Sequence, residues 1–76
     1  MIKEHDCVVL RADLLDKNLK AGDVGTVVHV VPGKKAFEVE FMTLRGRTLT
    51  VETLRRSQIR PVSEREVPHV RELART

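Results

Sequence analysis

The stretch Lys20-Ala21-Gly22-Asp23-Val24-Gly25-Thr26-Val27-Val28-His29-Val30-Val31 decides the fold of this 76-residue chain. Its glycines stand where a turn requires backbone at positive φ, and an apolar run rich in β-branched residues follows at once. We therefore expect a tight turn that feeds a strand, with Gly22, Asp23 and Gly25 as its structural residues. The carboxylate of Asp23 is expected to accept hydrogen bonds from backbone N–H groups of its own turn.

Short segments of alternating or β-branched character surround this stretch and predict a small antiparallel sheet. Pro32-Gly33 is typical of a hairpin turn, because proline presets φ at the first central position and glycine accepts positive φ at the second. In the third strand every second residue is apolar, and in the fourth Leu49 and Val51 are expected to point inward. The predicted strands cover residues 6–11, 26–31, 36–42, 48–52 and 59–62.

The connections complete the fold prediction. Residues 12–21 suit either a helix or a long loop with Leu14 and Leu19 folded over the end of the sheet, and we favour the loop because so short a helix needs strong packing. Residues 54–58 suit a single 3₁₀ turn, and Pro61 confines the last strand to an edge. The sequence thus predicts an all-β fold, a small five-stranded SH3-like barrel over residues 1–62.

The tail, residues 63–76, is expected to belong to the same domain and to contain a short helix. Ser63 and Glu66 fit a capping box, whereas Pro68 suits the first turn of a helix that runs to about Arg75. We favour the later start, because Pro68 would break a helix begun at Glu64. The apolar stripe of this helix consists of Val67, Val70 and Leu73. It is interpreted as a plug on the open end of the barrel, with a partner interface as the alternative.

The composition excludes several functions of such a barrel. The chain has no Trp or Tyr and two Phe, and Phe37 and Phe41 alternate onto the core face. A polyproline groove, a methyl-lysine cage and a base-stacking surface all need exposed aromatic rings, so none of them is expected.

The net charge of +3 has a local origin. Residues 43–62 carry five arginines and one acidic residue, so electrostatic attraction of an anionic partner should act through that segment. The candidate contacts to a partner are Arg45, Arg47, Arg55, Arg56 and Arg60, together with Val67, Val70 and Leu73 of the tail.

The single cysteine, Cys7, agrees with a reducing compartment and is expected to be a small buried hydrophobe. The sequence shows neither an apolar run long enough to span a bilayer nor the pattern of a signal peptide, so a cytoplasmic location and no membrane contact are expected.

Neither a metal site nor an active site is predicted. His5, Cys7, His29 and His69 lack the short spacings of zinc ligands. The carboxylates of Asp6, Asp13, Asp16 and Asp23 lie in loops without a His or Lys at a spacing typical of acid–base catalysis. We expect no enzyme activity, no cofactor and no small-molecule substrate.

Residues 2–62 contain a distinctive set of short motifs, namely His5-Asp6, Val8-Val9-Leu10, Asp13-Leu14, the run from Leu19 to Val28, Glu38-Val39-Glu40-Phe41 and Ile59-Arg60-Pro61-Val62. With these motifs the chain resembles a family of small bacterial proteins, domain of unknown function 4926. The resemblance implies an SH3-like barrel that stands alone and has no assigned activity. The Gly22 to Val28 part is also similar, more distantly, to KOW-type ribosomal and transcription-factor domains and to the SH3-like part of the nitrile hydratase β subunit.

The chain departs from the family at the turn before the fourth strand, where the family is usually acidic and this sequence reads Arg45-Gly46-Arg47. A charge-based function is therefore not carried over. The sequence predicts a non-enzymatic binding module that acts through contact with a protein partner or a second copy of itself. The alternative is KOW-like binding of RNA or the ribosome through the segment from Arg45 to Arg60.

Overall fold

The computed structural model describes residues 1–33 and 35–73. Five strands form one antiparallel sheet, and two 3₁₀ turns lie at Leu15–Lys17 and Arg56–Gln58. The strands are β1 (Cys7–Leu10), β2 (Val24–Val30), β3 (Ala36–Met42), β4 (Thr48–Arg55) and β5 (Ile59–Pro61). The all-β prediction is confirmed.

The strands lie in the order β4-β3-β2-β1-β5, so β4 and β5 are the two edges. No ladder joins these edges among the described residues, and the sheet is open rather than a closed barrel. β5 pairs with β1 alone, as expected for a strand that contains Pro61.

The two glycines of the opening stretch serve different purposes. Gly22 has φ of 98°, as predicted for the turn. Gly25 does not have positive φ. It lies within β2, opposite Val8, and glycine is required there because the neighbouring atoms leave no space for a side chain. A Cβ at this position would lie 2.5 Å from Cγ1 of Val39. The expectation of positive φ at Gly25 was wrong, because β2 begins at Val24 and includes it.

The core forms on one side of the sheet and beneath the first long loop. Leu19 is buried and Leu14 packs partly buried against the core, so the loop prediction for residues 12–21 is confirmed. Gly33 adopts positive φ in the predicted hairpin turn. The core cluster consists of Ile2, Val8, Leu10, Leu19, Val27, Phe37, Val39, Phe41, Leu54 and Ile59.

The inward face of β4 differs from the prediction. Leu49 and Val51 are exposed, whereas Leu54 is buried opposite Phe37. Leu54 lies five positions after Leu49, and residues an odd number of positions apart cannot both face the core of a regular strand. β4 continues to Arg55 instead of ending at 52, and the contact between Leu54 and Phe37 sets its register.

The tail also differs from the prediction, since residues 62–73 contain no helix. The N–H of Ser63 donates to Oε1 of Glu66 at 2.6 Å, which forms half of the capping box that these two residues fit. The chain then continues without regular structure, because so short a segment does not stabilise a helix by itself. The last residues of the predicted helix, 74–75, lie outside the described residues. None of the described helical segments has the length and hydropathy to cross a membrane.

Candidate binding groove on the outer face of the sheet

Part of the side of the sheet opposite the core is apolar, whereas Thr26 and Glu40 lie on the same side beside Cys7. Val9 lies between Val24 of β2 and Arg60 of β5, and residues directly opposite each other in an antiparallel sheet point to the same side. Met42 and Leu49 continue this surface on β3 and β4, and they are 44% and 40% exposed. We call this surface, formed by Cys7, Val9, Val24, Met42 and Leu49, the outer face.

The tail runs beside the outer face, and an open groove of about 1270 Å³ lies between them. We call it the outer groove. Val9 lines this groove, and it is the only buried hydrophobic side chain outside the core cluster among the described residues. The tail contributes Val62, Glu66, Val67, Pro68, His69, Val70, Arg71, Glu72 and Leu73 to the lining.

A bidentate ion pair connects the tail to the turn before β2. Nε of Arg71 donates to Oδ1 of Asp23 at 2.8 Å, and Nη2 donates to Oδ2 at 2.5 Å. Nη2 also donates to the backbone carbonyl of Asn18 at 3.2 Å. The two side chains are about one quarter and one fifth exposed, so solvent screens this pair less than it screens a fully exposed one.

The charge state of Asp23 reflects this contact. Burial alone would raise the pKa of its carboxyl group, but hydrogen bonds from the Arg71 side chain and the Lys20 N–H outweigh it and lower the pKa. Hydrogen bonding to Asp23 in turn raises the pKa of Arg71. Asp23 is therefore a carboxylate at neutral pH and offers both oxygens to a guanidinium group.

The backbone around Asp23 is fixed from several sides. Its Oδ2 accepts from the N–H of Lys20 at 2.9 Å, which confirms the predicted bond within the turn. Oδ1 of Asp13 accepts from the N–H of Ala21 at 2.8 Å. The N–H of Leu10 donates to the carbonyl of Asp23, which ties the turn to β1. Bonds within the domain thus hold the turn that carries the carboxylate, in addition to the contact with Arg71.

A second ion pair directs the tail as it leaves β5. Arg60 donates from Nη1 and Nη2 to the two carboxylate oxygens of Glu66 at 2.9 and 2.6 Å. The Arg60 hydrogen bond, aided by the Ser63 N–H, lowers the pKa of Glu66 to about 2. The turn at Ser63–Glu66 therefore closes against the end of the sheet at neutral pH.

The family described as domain of unknown function DUF4926 matches residues 4–61, which include all five strands and Asp23. The chain belongs to this family. No curated protein and no solved structure matches it. The tail that carries Glu66 and Arg71 follows the residues matched to the DUF4926 family.

The arginines proposed from the sequence do not form one patch in this DUF4926 domain. Arg45 and Arg47 lie in the turn before β4, whereas Arg55 and Arg56 lie at and beyond its other end. An eight-residue strand separates the two pairs by roughly 23 Å. Arg60 is engaged by Glu66. Arg45 and Arg60 line the outer groove.

The tail residues singled out from the sequence border the groove. Val67 is 86% exposed, Val70 is also exposed, and Leu73 is partly buried. Cys7 is exposed on the outer face, so the expectation of a buried thiol was wrong. It occupies the first position of β1, where alternation turns its side chain away from Val8 and the core.

Sequence reasoning missed the Asp23–Arg71 pair. The two residues are 48 positions apart, and no local pattern connects them. The sequence does place the Asp23 carboxylate in the turn before β2. Its pairing with Arg71, however, depends on the path of the tail, which the sequence does not indicate.

Asp6, another carboxylate considered from the sequence, serves its own turn. Oδ2 of Asp6 accepts from the N–H of Lys3 at 3.0 Å, a bond within its own turn. Within residues 1–33 and 35–73, no three His, Cys, Asp or Glu side chains come together in a way that could hold a metal ion.

Proposed function

We propose that this DUF4926 protein is a non-enzymatic SH3-like binding module that acts through protein–protein contact at the outer groove. The observation that carries the proposal is the outer face itself. It presents Val24, Met42 and Leu49 to solvent on a sheet whose opposite side already holds the core. An exposed apolar surface bordered by polar groups is typical of an interaction site.

The strand order supports an SH3-like architecture. β5 returns to pair with β1, a long loop follows β1, and a 3₁₀ turn precedes β5. The sequence-based expectation of such a barrel rested on the loop and the 3₁₀ turn, and the pairing of β5 with β1 adds to it. The free thiol of Cys7 suits a reducing compartment, and we propose a bacterial cytoplasmic location on that ground and on the family resemblance.

The lining of the groove favours a protein partner over RNA. Its sheet side consists mainly of apolar side chains, and no Phe, Tyr or Trp side chain is exposed for base stacking among the described residues. The arginines that would contact phosphates are split between the two ends of β4. RNA binding through these arginines is therefore the second candidate.

Affinity capture from the native host tests the groove directly. Wild-type protein and the Leu49→Asp variant serve as baits, with Leu15→Asp as the matched control. Leu15 is 76% exposed on the first 3₁₀ turn and does not line the groove. We expect the same partner on wild-type and Leu15→Asp baits and its loss from Leu49→Asp. Equal recovery by all three baits contradicts the proposal.

The RNA alternative is tested with total RNA in a filter-binding assay. Phosphate contacts weaken steeply as salt increases, so binding through arginines should be strongest at low ionic strength. Binding that falls in the Arg45→Ala, Arg47→Ala double variant and depends on salt would favour RNA. Absence of binding at low salt eliminates that candidate.

A further inference from the structure

The contact between Arg71 and Asp23 resembles a recognition site more than a surface salt bridge. The guanidinium group meets two carboxylate oxygens and one backbone carbonyl, so three of its N–H···O bonds are directed by the domain. Two parallel bonds to a carboxylate fix the plane of a guanidinium group, which a lysine ammonium cannot reproduce.

The two halves of this contact come from different parts of the chain. Asp23 and Asn18 lie within residues 4–61, which match the family, and their positions are fixed by bonds inside the domain. Arg71 lies in the tail that follows. The acceptor site thus belongs to the domain, and its occupant belongs to a segment without regular structure.

The tail leaves much of the neighbouring groove unfilled. Val67 and Val70 precede Arg71 and line the groove, yet both remain exposed. The volume of about 1270 Å³ lies between these side chains and the outer face. An occupant that is anchored by its arginine but packs poorly at its apolar positions is one that a better-fitting segment can displace.

We propose that Asp23 and the Asn18 carbonyl form a receptor for an arginine side chain of an extended segment of a partner protein, and that Arg71 occupies this receptor in the free chain. The inference rests on the proposed function and specifies its ligand. The partner segment carries an arginine next to apolar residues that lie in the outer groove. The tail then acts as a competing intramolecular ligand.

A partner protein fits better than a second copy as the source of this segment. The tail already reaches Asp23 within one chain, by way of the turn that Arg60 and Glu66 hold. Exchange of tails between two copies would recreate the same contact and add none. We therefore expect the free protein to be a monomer.

The test uses the full chain and a fluorescein-labelled peptide that carries residues 62–73. In the Arg71→Ala protein the internal arginine is absent, so the peptide should bind Asp23. A short tether gives an effective concentration of about 1 mM. For a site with Kd of about 0.1 mM, such a competitor weakens apparent binding to wild type by roughly tenfold.

The expected result is roughly tenfold tighter binding of the peptide to Arg71→Ala protein than to wild type, measured by fluorescence anisotropy. The same peptide with Arg71→Ala should lose this binding, and the peptide with Arg71→Lys should recover little of it. Adding Asp23→Asn to the Arg71→Ala protein should abolish it. Circular dichroism establishes that each protein variant is folded, and the peptide comparison needs the Arg71→Ala protein alone.

Three results overturn the inference. Equal binding of the original and Arg71→Ala peptides would show an apolar groove without an arginine site, and the proposed function would stand. No binding of either peptide to Arg71→Ala protein would show that Asp23 and the Asn18 carbonyl do not bind an arginine from a separate segment. The capture experiment with Leu49→Asp tests the proposed function separately. A wild-type dimer that the Arg71→Ala substitution dissociates would assign the occupant to a second copy.

Discussion

Replacing Gly25 by alanine tests the packing beneath β2. The new Cβ would lie 2.5 Å from Cγ1 of Val39, 2.9 Å from Cε1 of Phe41 and 3.0 Å from the carbonyl oxygen of Glu40. The first two atoms belong to side chains that are 0% and 2% exposed, and the third is backbone of the neighbouring strand. None of the three can move away into solvent, so the sheet itself must shift.

The magnitude follows from two opposing effects. Inserting a methyl group into a packed core costs about 1–3 kcal/mol, and a 2.5 Å contact places this site toward the upper end. Alanine lowers the conformational entropy of the unfolded chain relative to glycine, and this effect stabilises the folded protein by about 0.4–1 kcal/mol. The net loss is about 2 kcal/mol. In a domain of this size that corresponds to a decrease in Tm of roughly 8–16 °C.

Thermal and urea unfolding followed by circular dichroism measure this loss, with Gly22 as the matched position. Gly22 has φ of 98° and open space around its missing Cβ, so the backbone conformation, and not the available space, decides which residues are tolerated at this position. Asparagine tolerates positive φ better than alanine, and it is larger. We expect Asn to be milder than Ala at Gly22 and harsher than Ala at Gly25. An unchanged Tm for Gly25→Ala, or the same ranking at both positions, would refute the packing argument.

Three further outcomes are expected. Asp23 and Glu66 have lowered pKa values when folded, so their contribution to stability is present above their unfolded pKa values of about 4 and is lost below them. The difference in unfolding free energy between wild type and Glu66→Gln should therefore vanish as the pH falls from 4.5 toward 2, and a difference that persists at pH 2 would contradict this. Leu54→Ala should lower the free energy of unfolding in urea by about 2–5 kcal/mol, and Leu49→Ala should lower it clearly less. The inverse order would show that Leu49 faces the core, as the sequence had predicted. Cys7 should react fully with a maleimide in native protein, and a need for denaturant would show that the thiol is covered.

Local sequence signals predicted most of the sheet. The alternation of Phe37, Val39 and Phe41 gave β3 its bounds, because one buried face imposes a period of two. The Pro32-Gly33 turn and the leucines of the first loop were likewise predictable from residue type. These features depend on neighbours within a few positions of the chain.

The errors arose where a distant contact decides between local alternatives. β4 carries apolar residues in both phases, and only its pairing with Phe37 shows that Leu54 is the buried one. The tail contains signals for two helix starts, and the structure uses neither as a helix. Its path depends on ion pairs formed by Arg60 and Arg71. No spacing rule connects such partners before the fold is known.

The candidate site was predictable only in part. The sequence singled out Arg60, Val67, Val70 and Leu73, and these do border the outer groove. It did not indicate the outer face, because Leu49 was assigned to the core. A surface made from four strands and a returning tail requires the register of every pair.

Methyl NMR of the two methionines tests the central claim most directly. Met42 lies in the outer groove, whereas Met1 does not line it and is 87% exposed, so one signal reports on the groove and the other is an internal control. In ¹³C-methyl-methionine spectra of the Arg71→Ala protein, addition of the peptide carrying residues 62–73 should shift the Met42 signal and leave Met1 in place. If the Met42 signal stays fixed while the peptide saturates, the ligand does not lie in the outer groove and the account is wrong.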